Sequence, residues 1–286
     1  MLSDYMKEAR SFSMKSNSRE REVGFHASSG GYCLKKLIIE TLMPQYKQAF
    51  SEEVLSIFEI GHEIHEKQDK DLRLLAQEKA EFLWIQPFRI KAMSNILLDL
   101  FEERNKDTEH KVTSPIPLCV FGTPDAIIYD FSTNSLLIPD FKSTNGRSFS
   151  YKVKGSKSLP NMIQLGTYIE SIVSKLKSTG MNIDIEEASI IYIDKDDYFN
   201  KGKLSLCTHL YSAESISSAA QTYWKNAGDA LYDFVSSLGT IMPSTQIATG
   251  SNKWMCNYCS IFKDKTECNK AIDLVTLKEL KGEAID

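Results

Sequence analysis

The sequence predicts a mixed α/β fold: helices, then a three-stranded antiparallel meander, then a helix and a further strand, with a helical accessory element drawn from the two chain ends. Three observations carry this. Apolar residues recur at helical spacing up to about residue 103, the period shortens to strand-like runs between residues 118 and 141, and helical spacing returns twice after that. At 286 residues, 42% hydrophobic and 25% charged, the chain is long enough to bury one substantial core. No stretch approaches the roughly 18 unbroken apolar residues of a membrane helix, and Asp4 and Glu8 stand where a secretory signal would be apolar. The expectation is a soluble, cytoplasmic protein with no membrane partner.

Taken in order, residues 1–23 mix basic, acidic and Ser residues without apolar periodicity and read as a flexible arm. Residues 24–286 read as one domain, with a core at about 50–210 and an accessory part made of 24–49 and 211–286. Leu34, Leu37, Ile38 and Leu42 give a helix between Cys33 and Met43, closed by Pro44. A longer amphipathic helix starts at Ser51 and runs through Ile64 toward Leu75, and another spans Ile90 to Glu103. Leu118–Phe121, Ala126–Tyr129 and Leu136–Phe141 are strands of the meander, separated by Gly122-Thr123-Pro124 and by Ser132-Thr133-Asn134-Ser135. A helix near Asn161–Leu176, a strand at Ala188–Ile193, a return through Lys203–Leu210 and a long helix at Ser212–Leu238 complete the chain before the cysteine-rich end.

The meander carries the first chemical signal. Asp125 opens one strand and Asp140 sits near the end of another, each preceded by Pro, and strand alternation puts Asp140 and Lys142 on one face. Two converging carboxylates suit a hard divalent cation such as Mg²⁺ or Mn²⁺, and the Lys can orient or polarise an attacking water. The bland alternative is a pair of strand-end aspartates with a solvated Lys, since D-x-K is short. A charge beside the apolar run Leu136-Leu137-Ile138 nevertheless costs free energy unless it is paired.

Pro124-Asp125 followed by Asp140-Phe141-Lys142 resembles the signature of the PD-(D/E)XK nuclease superfamily. Gly61-His62-Glu63-Ile64-His65 resembles the G-x-x-x-H helix of its RecB-like branch, and Gln164-Leu165-Gly166-Thr167-Tyr168 resembles the Q-x-x-x-Y helix. The motifs occur in the family's order between residues 61 and 168. The resemblance implies a restriction-endonuclease-like core and a metal site of His65, Asp125, Asp140 and the Phe141 backbone carbonyl. It makes Lys142 the catalytic lysine, with Gln164 and Tyr168 supporting it or contacting the strand near the site. Read on their own, His65 fits a satisfied core histidine, and Gln164 and Tyr168 fit neighbours on one helix face. A zinc-protease H-E-x-x-H is disfavoured, because His62 and His65 are three residues apart instead of four.

Cysteines give the second signal. Three of six, Cys256, Cys259 and Cys268, lie within thirteen residues, and Cys33 is the candidate fourth ligand. Four thiolates satisfy zinc or an iron–sulfur cluster equally. The segment from Ser28 to Lys36 resembles the N-terminal cysteine segment of iron–sulfur RecB-like nucleases, and that resemblance implies a [4Fe-4S] cluster, with zinc as the alternative. Cys119 and Cys207 read as small buried hydrophobes.

The third signal is electrostatic. A net charge of −4 does not advertise a polyanion partner, yet Phe141 to Ile169 holds no acidic residue while Lys142, Arg147, Lys152, Lys154 and Lys157 are basic, with Phe149 and Tyr151 interleaved. Such a loop tracks phosphates and stacks unpaired bases, or else is simply solvated; Lys35 and Lys36 would extend the track. The combined expectation is a metal-dependent DNA nuclease, an exonuclease on single-stranded or frayed ends serving recombination, repair or phage replication with proteins of those processes as partners. The alternatives are a CRISPR spacer-processing nuclease and a catalytically silent DNA-end-binding scaffold. No G-x-x-x-x-G-K-[ST] loop is present.

Overall fold

The computed structural model describes residues 22–44, 52–106, 108–109, 111–185 and 187–237. Among these are seven α-helices and three three-stranded sheets, a mixed α/β arrangement. The sequence-based assignments to Ser51, to most of the N-terminal arm, and to Cys256, Cys259 and Cys268 lie outside the described residues. Among the described residues, no helix is long and apolar enough to cross a membrane.

The first sheet has the order β1 (Phe25–His26), β4 (Val120–Gly122), β3 (Ile90–Ala92). In the second, β5 (Ile127–Asp130) lies between β2 (Phe82–Ile85) and β6 (Ser135–Leu137). The third joins β7 (Pro139–Thr144), β8 (Glu187–Asp194) and β9 (Leu206–Ser212), with β7 parallel to β8 and β8 antiparallel to β9.

The expected three-stranded meander is therefore not formed. Both edges of β4 are already used, by β1 in parallel and β3 antiparallel, so β5 turns away and pairs with β2 and β6. The run read as one strand from Leu136 to Phe141 is two. Its second half begins at Pro139, which has no N–H to continue a ladder, and passes to β8.

The helices are α1 (Leu34–Leu42), α2 (Glu52–Glu78), α3 (Ser94–Asn105), α4 (Gly146–Val153), α5 (Leu159–Ser178), α6 (Lys195–Lys201) and α7 (Ala213–Ser236). Their starts follow local chemistry. The side chains of Asn145, Asp194 and Ser212 each accept a backbone N–H from the first turn of α4, α6 and α7. Two helical assignments need correction. Residues 90–92 are strand, and the helix expected from Ile90 starts only after Met93, whose φ of 62° breaks the periodicity. The basic stretch after Lys142 is not a loop throughout, because residues 146–153 form α4.

Packing sets two layers of helix against the third sheet. Alternation on β8 points Ile191 and Ile193 toward α2, where they meet Ile64 and Phe141. Ile190 and Tyr192 point the other way and join Leu165, Ile169 and Ile172 of α5. A separate core gathers β1, α1, α3, β3 and β4 around Trp224 of α7, and α5 enters it through Ile163 and Tyr168. The chain-end elements expected as an accessory part thus share this core with α3 and α5. At the α5–α7 crossing a Cβ on Gly166 would lie 2.1 Å from the Ile216 carbonyl oxygen, so glycine permits the approach. There the Trp224 indole N–H donates to Thr167 Oγ1 at 2.8 Å, a buried polar pair that satisfies both groups.

Candidate active site

The register of β7 on β8 pairs Asp140 with Ile190 and Lys142 with Tyr192, which places both charged side chains on the sheet face that α5 covers. Phe141 points to the opposite face and packs with Ile64 of α2. Asp125 lies in the short link between β4 and β5, and its Oδ2 accepts the Phe141 N–H at 2.8 Å. His65 projects from α2 with Nδ1 3.4 Å from Asp125 Oδ1, and its ring meets Phe141 edge-on at 6.3 Å. One turn earlier on α2, a Cβ on Gly61 would stand 3.2 Å from Ser143 Oγ, so the small residue lets the helix close on β7. His62 is exposed and pairs with Glu66, away from this network.

Lys142 Nζ donates to Asp140 Oδ1 at 3.0 Å. It also lies 2.8 Å from Oδ2, but in poor alignment, so Oδ2 is buried without a hydrogen bond. Burial pushes Asp140 up to about 6, with the Lys142 charge pulling against it and the Asp125 charge adding to the rise. Asp125 moves the other way: burial would raise it, but the His65 contact, the Lys142 charge and the Phe141 N–H hold its carboxyl below the ordinary range. Burial likewise opposes the Lys142 ammonium, yet Asp140 and Asp125 keep its affinity for the proton above normal.

On α5, Gln164 Nε2 donates to the Tyr168 hydroxyl at 2.8 Å, as their i, i+4 spacing allows. Tyr168 is held protonated by burial, reinforced by the nearby Asp140 charge. Its ring fits because Gly122 has no Cβ, which would stand 2.7 Å from Tyr168 Cε1. The structure thus brings His65, Asp125, Asp140, Lys142, Gln164 and Tyr168 into one neighbourhood.

Among the described residues, no group of three or more His, Cys, Asp and Glu is arranged to hold a metal ion. The physical reason is visible in the pairing: Lys142 straddles Asp140, and His65 with the Phe141 N–H takes up Asp125. The donor types still fit a hard cation, and the orphaned Asp140 Oδ2 is a buried anionic oxygen that lacks an aligned donor.

The remaining candidates separate. Cys33 is half-buried at the N-terminal boundary of α1. Cys119 is buried as expected, whereas Cys207 on β9 is only half-buried. Of the basic residues, Arg147, Lys154 and Lys157 are exposed on or just after α4. Lys152 is half-buried, donates to the Ser156 carbonyl at 3.1 Å and lies 4.9 Å from the Tyr192 ring centroid. Lys35 is buried on α1 and offers no exposed phosphate contact, while Lys36 lies 3.9 Å from Glu40 and over the ring of Tyr32. Phe149 packs against the core, which leaves Tyr151 as the exposed aromatic.

No family model matches the chain, and no curated protein does. A solved structure titled "Crystal structure of SSO0001" aligns over 91% of this chain and 94% of its own, at 13% identity and a TM-score of 0.42, a level at which a shared fold is not shown.

Proposed function

We propose that the chain is a divalent-metal-dependent deoxyribonuclease of the RecB-like PD-(D/E)XK type, acting as an exonuclease on single-stranded or frayed DNA ends. The observation that supports it most is the linked set of His65, Asp125, Asp140 and Lys142, in which a fully buried carboxylate has one oxygen without a hydrogen bond. His65, Asp125, Asp140 and the Phe141 carbonyl would hold Mg²⁺ or Mn²⁺, which supplies a polarised water and charge neutralisation at the phosphodiester. Lys142 leaves its resting pair with Asp140 to stabilise charge on the phosphate or to orient the water. Gln164 and Tyr168 form the wall on the α5 side. The exposed Arg147, Lys154 and Lys157 would track the strand beyond the site.

In this reading Cys33 joins Cys256, Cys259 and Cys268 around a [4Fe-4S] cluster, with zinc as the alternative, and the settings are recombination, repair or phage replication, or else CRISPR spacer processing. A second reading, a catalytically silent DNA-end-binding protein, is favoured by one observation: Lys142 occupies the carboxylate that a cation would need. End-labelled single- and double-stranded DNA incubated with Mg²⁺, Mn²⁺ or EDTA separates the two. Metal-dependent release of nucleotides supports the nuclease, and binding without cleavage under every metal supports the scaffold.

A further inference from the structure

The face of the third sheet that carries Asp140 and Lys142 is covered by α4 as well as by α5. In the β7–β8 register Tyr192 stands beside Lys142, on the neighbouring strand and the same face. Helix α4 lies over that tyrosine. Lys152 Nζ is 4.9 Å from its ring centroid, and Phe149, one turn earlier, packs against the same core. The His209 Nε2–H of β9 donates to the Lys152 carbonyl at 2.8 Å and holds the end of the helix down. Through Tyr192, α4 is seated next to the strand pair that carries the site lysine.

Docking through Phe149 and Lys152 turns the opposite side of α4 to solvent. Arg147 and Tyr151 are four residues apart and share that side, and Lys154 at the C-cap follows three residues on. All three are exposed, Tyr151 by 53%. Among the described residues, the Tyr151 side chain has no hydrogen bond or ring contact, and neither Arg147 nor Lys154 is in an ion pair. A single exposed aromatic is ordinary. One set between two unneutralised cations, on a helix beside the candidate site, matches a polyanion that carries flat rings. Asp196 meets α4 at its N-terminus, where Oδ2 accepts the Gly146 N–H at 2.7 Å, so phosphate is favoured toward Tyr151 and Lys154.

We infer that Tyr151 is the base-stacking platform of this protein: an unpaired base of single-stranded DNA lies on its ring while Arg147 and Lys154 hold the flanking phosphates. The inference rests on the nuclease reading above and gives it a structural source of strand selectivity. In a duplex the base faces are stacked on one another and none is free for Tyr151, so an unpaired or frayed strand gains the contact and a closed one does not. Every base has a π-face, so the ring selects single strands without selecting sequence.

The test is binding of labelled oligo(dT) and of a blunt GC-rich duplex to the intact chain in EDTA, where cleavage does not intervene, read by fluorescence anisotropy. Tyr151→Ala should weaken single-strand binding about 5- to 100-fold, the effect of one stacked base, with duplex affinity and Tm unchanged. Tyr151→Phe keeps the ring and should bind as the wild type does. A strand of abasic sites should bind the wild type and Tyr151→Ala equally, since phosphates alone remain to be held. Unchanged single-strand affinity in Tyr151→Ala, an equal loss on the duplex, or a wild type that binds neither would overturn the Tyr151 assignment. Cleavage is scored separately with Mg²⁺ and Mn²⁺. Its absence under both removes the nuclease reading, whereas the ring-dependent preference for single strands is read without metal.

Discussion

The ammonium nitrogen of Lys142 stands 3.0 Å from Oδ1 and 2.8 Å from Oδ2 of Asp140, so one cation straddles a carboxylate that is wholly buried. If the proposed nuclease reading holds, this pair is what a divalent cation and a phosphate would jointly replace, the metal taking the carboxylate and the phosphate taking the ammonium.

Removing the lysine alone should leave a buried carboxylate uncompensated. Lys142→Ala is expected to lose about 3–5 kcal/mol of stability at pH 8 in urea unfolding. Asp140 sits at about 6 with Lys142 present and rises further without it. The folded protein then binds a proton more tightly than the unfolded chain, so the loss should shrink as pH falls. A penalty independent of pH would contradict the placement of Lys142 on Asp140.

Asp140→Ala should abolish metal-dependent cleavage, by about 10³-fold or more, while DNA binding persists through the exposed residues on and after α4. Gel-shift and end-label assays on the same preparation check both halves. Retained activity would remove the site assignment.

Cation binding should compete with the proton on Asp140. Because that carboxyl is pushed up to about 6, affinity for Mn²⁺ should be flat above that pH and fall roughly tenfold per unit below it. Electron paramagnetic resonance titration of free Mn²⁺ against pH measures this directly. A shoulder near 4 instead would show that Asp140 is not the proton competitor.

At the α5–α7 crossing, Gly166→Ala must push a methyl group into the Ile216 carbonyl oxygen. A loss of about 1–3 kcal/mol is expected, read as a lowered urea midpoint at unchanged m. An unchanged midpoint would mean that the helices are not packed this closely.

If Cys33 ligates a cluster, freshly purified anaerobic protein should be brown with a broad visible charge-transfer band, and Cys33→Ser should weaken or remove it. A colourless protein containing stoichiometric zinc would favour the alternative metal.

The grouping of the candidate residues is legible in the sequence where they are tied to local patterns. His65 and Gly61 share a helix face, Gln164 and Tyr168 are one turn apart, and Asp140 and Lys142, two apart on a strand, share its face. Pairing was not legible. Nothing in Val120–Gly122 announces that β1 and β3 occupy both of its edges, since those partners are two- and three-residue strands without measurable periodicity. Arg147 to Val153 read as a loop because its charges mask a short helix whose cap, Asn145, is a single residue.

One helix, α5, belongs to both large cores, giving Ile163 and Tyr168 to one and Leu165, Ile169 and Ile172 to the other. Gln164 therefore stands on a segment that cannot fray without dissolving both cores at once. Amides in the middle of α5 should exchange with solvent only through global unfolding, as slowly as any in the protein. The wall of the site would then be as durable as the fold itself, leaving any opening needed to admit a strand to α4 and the turn before α1.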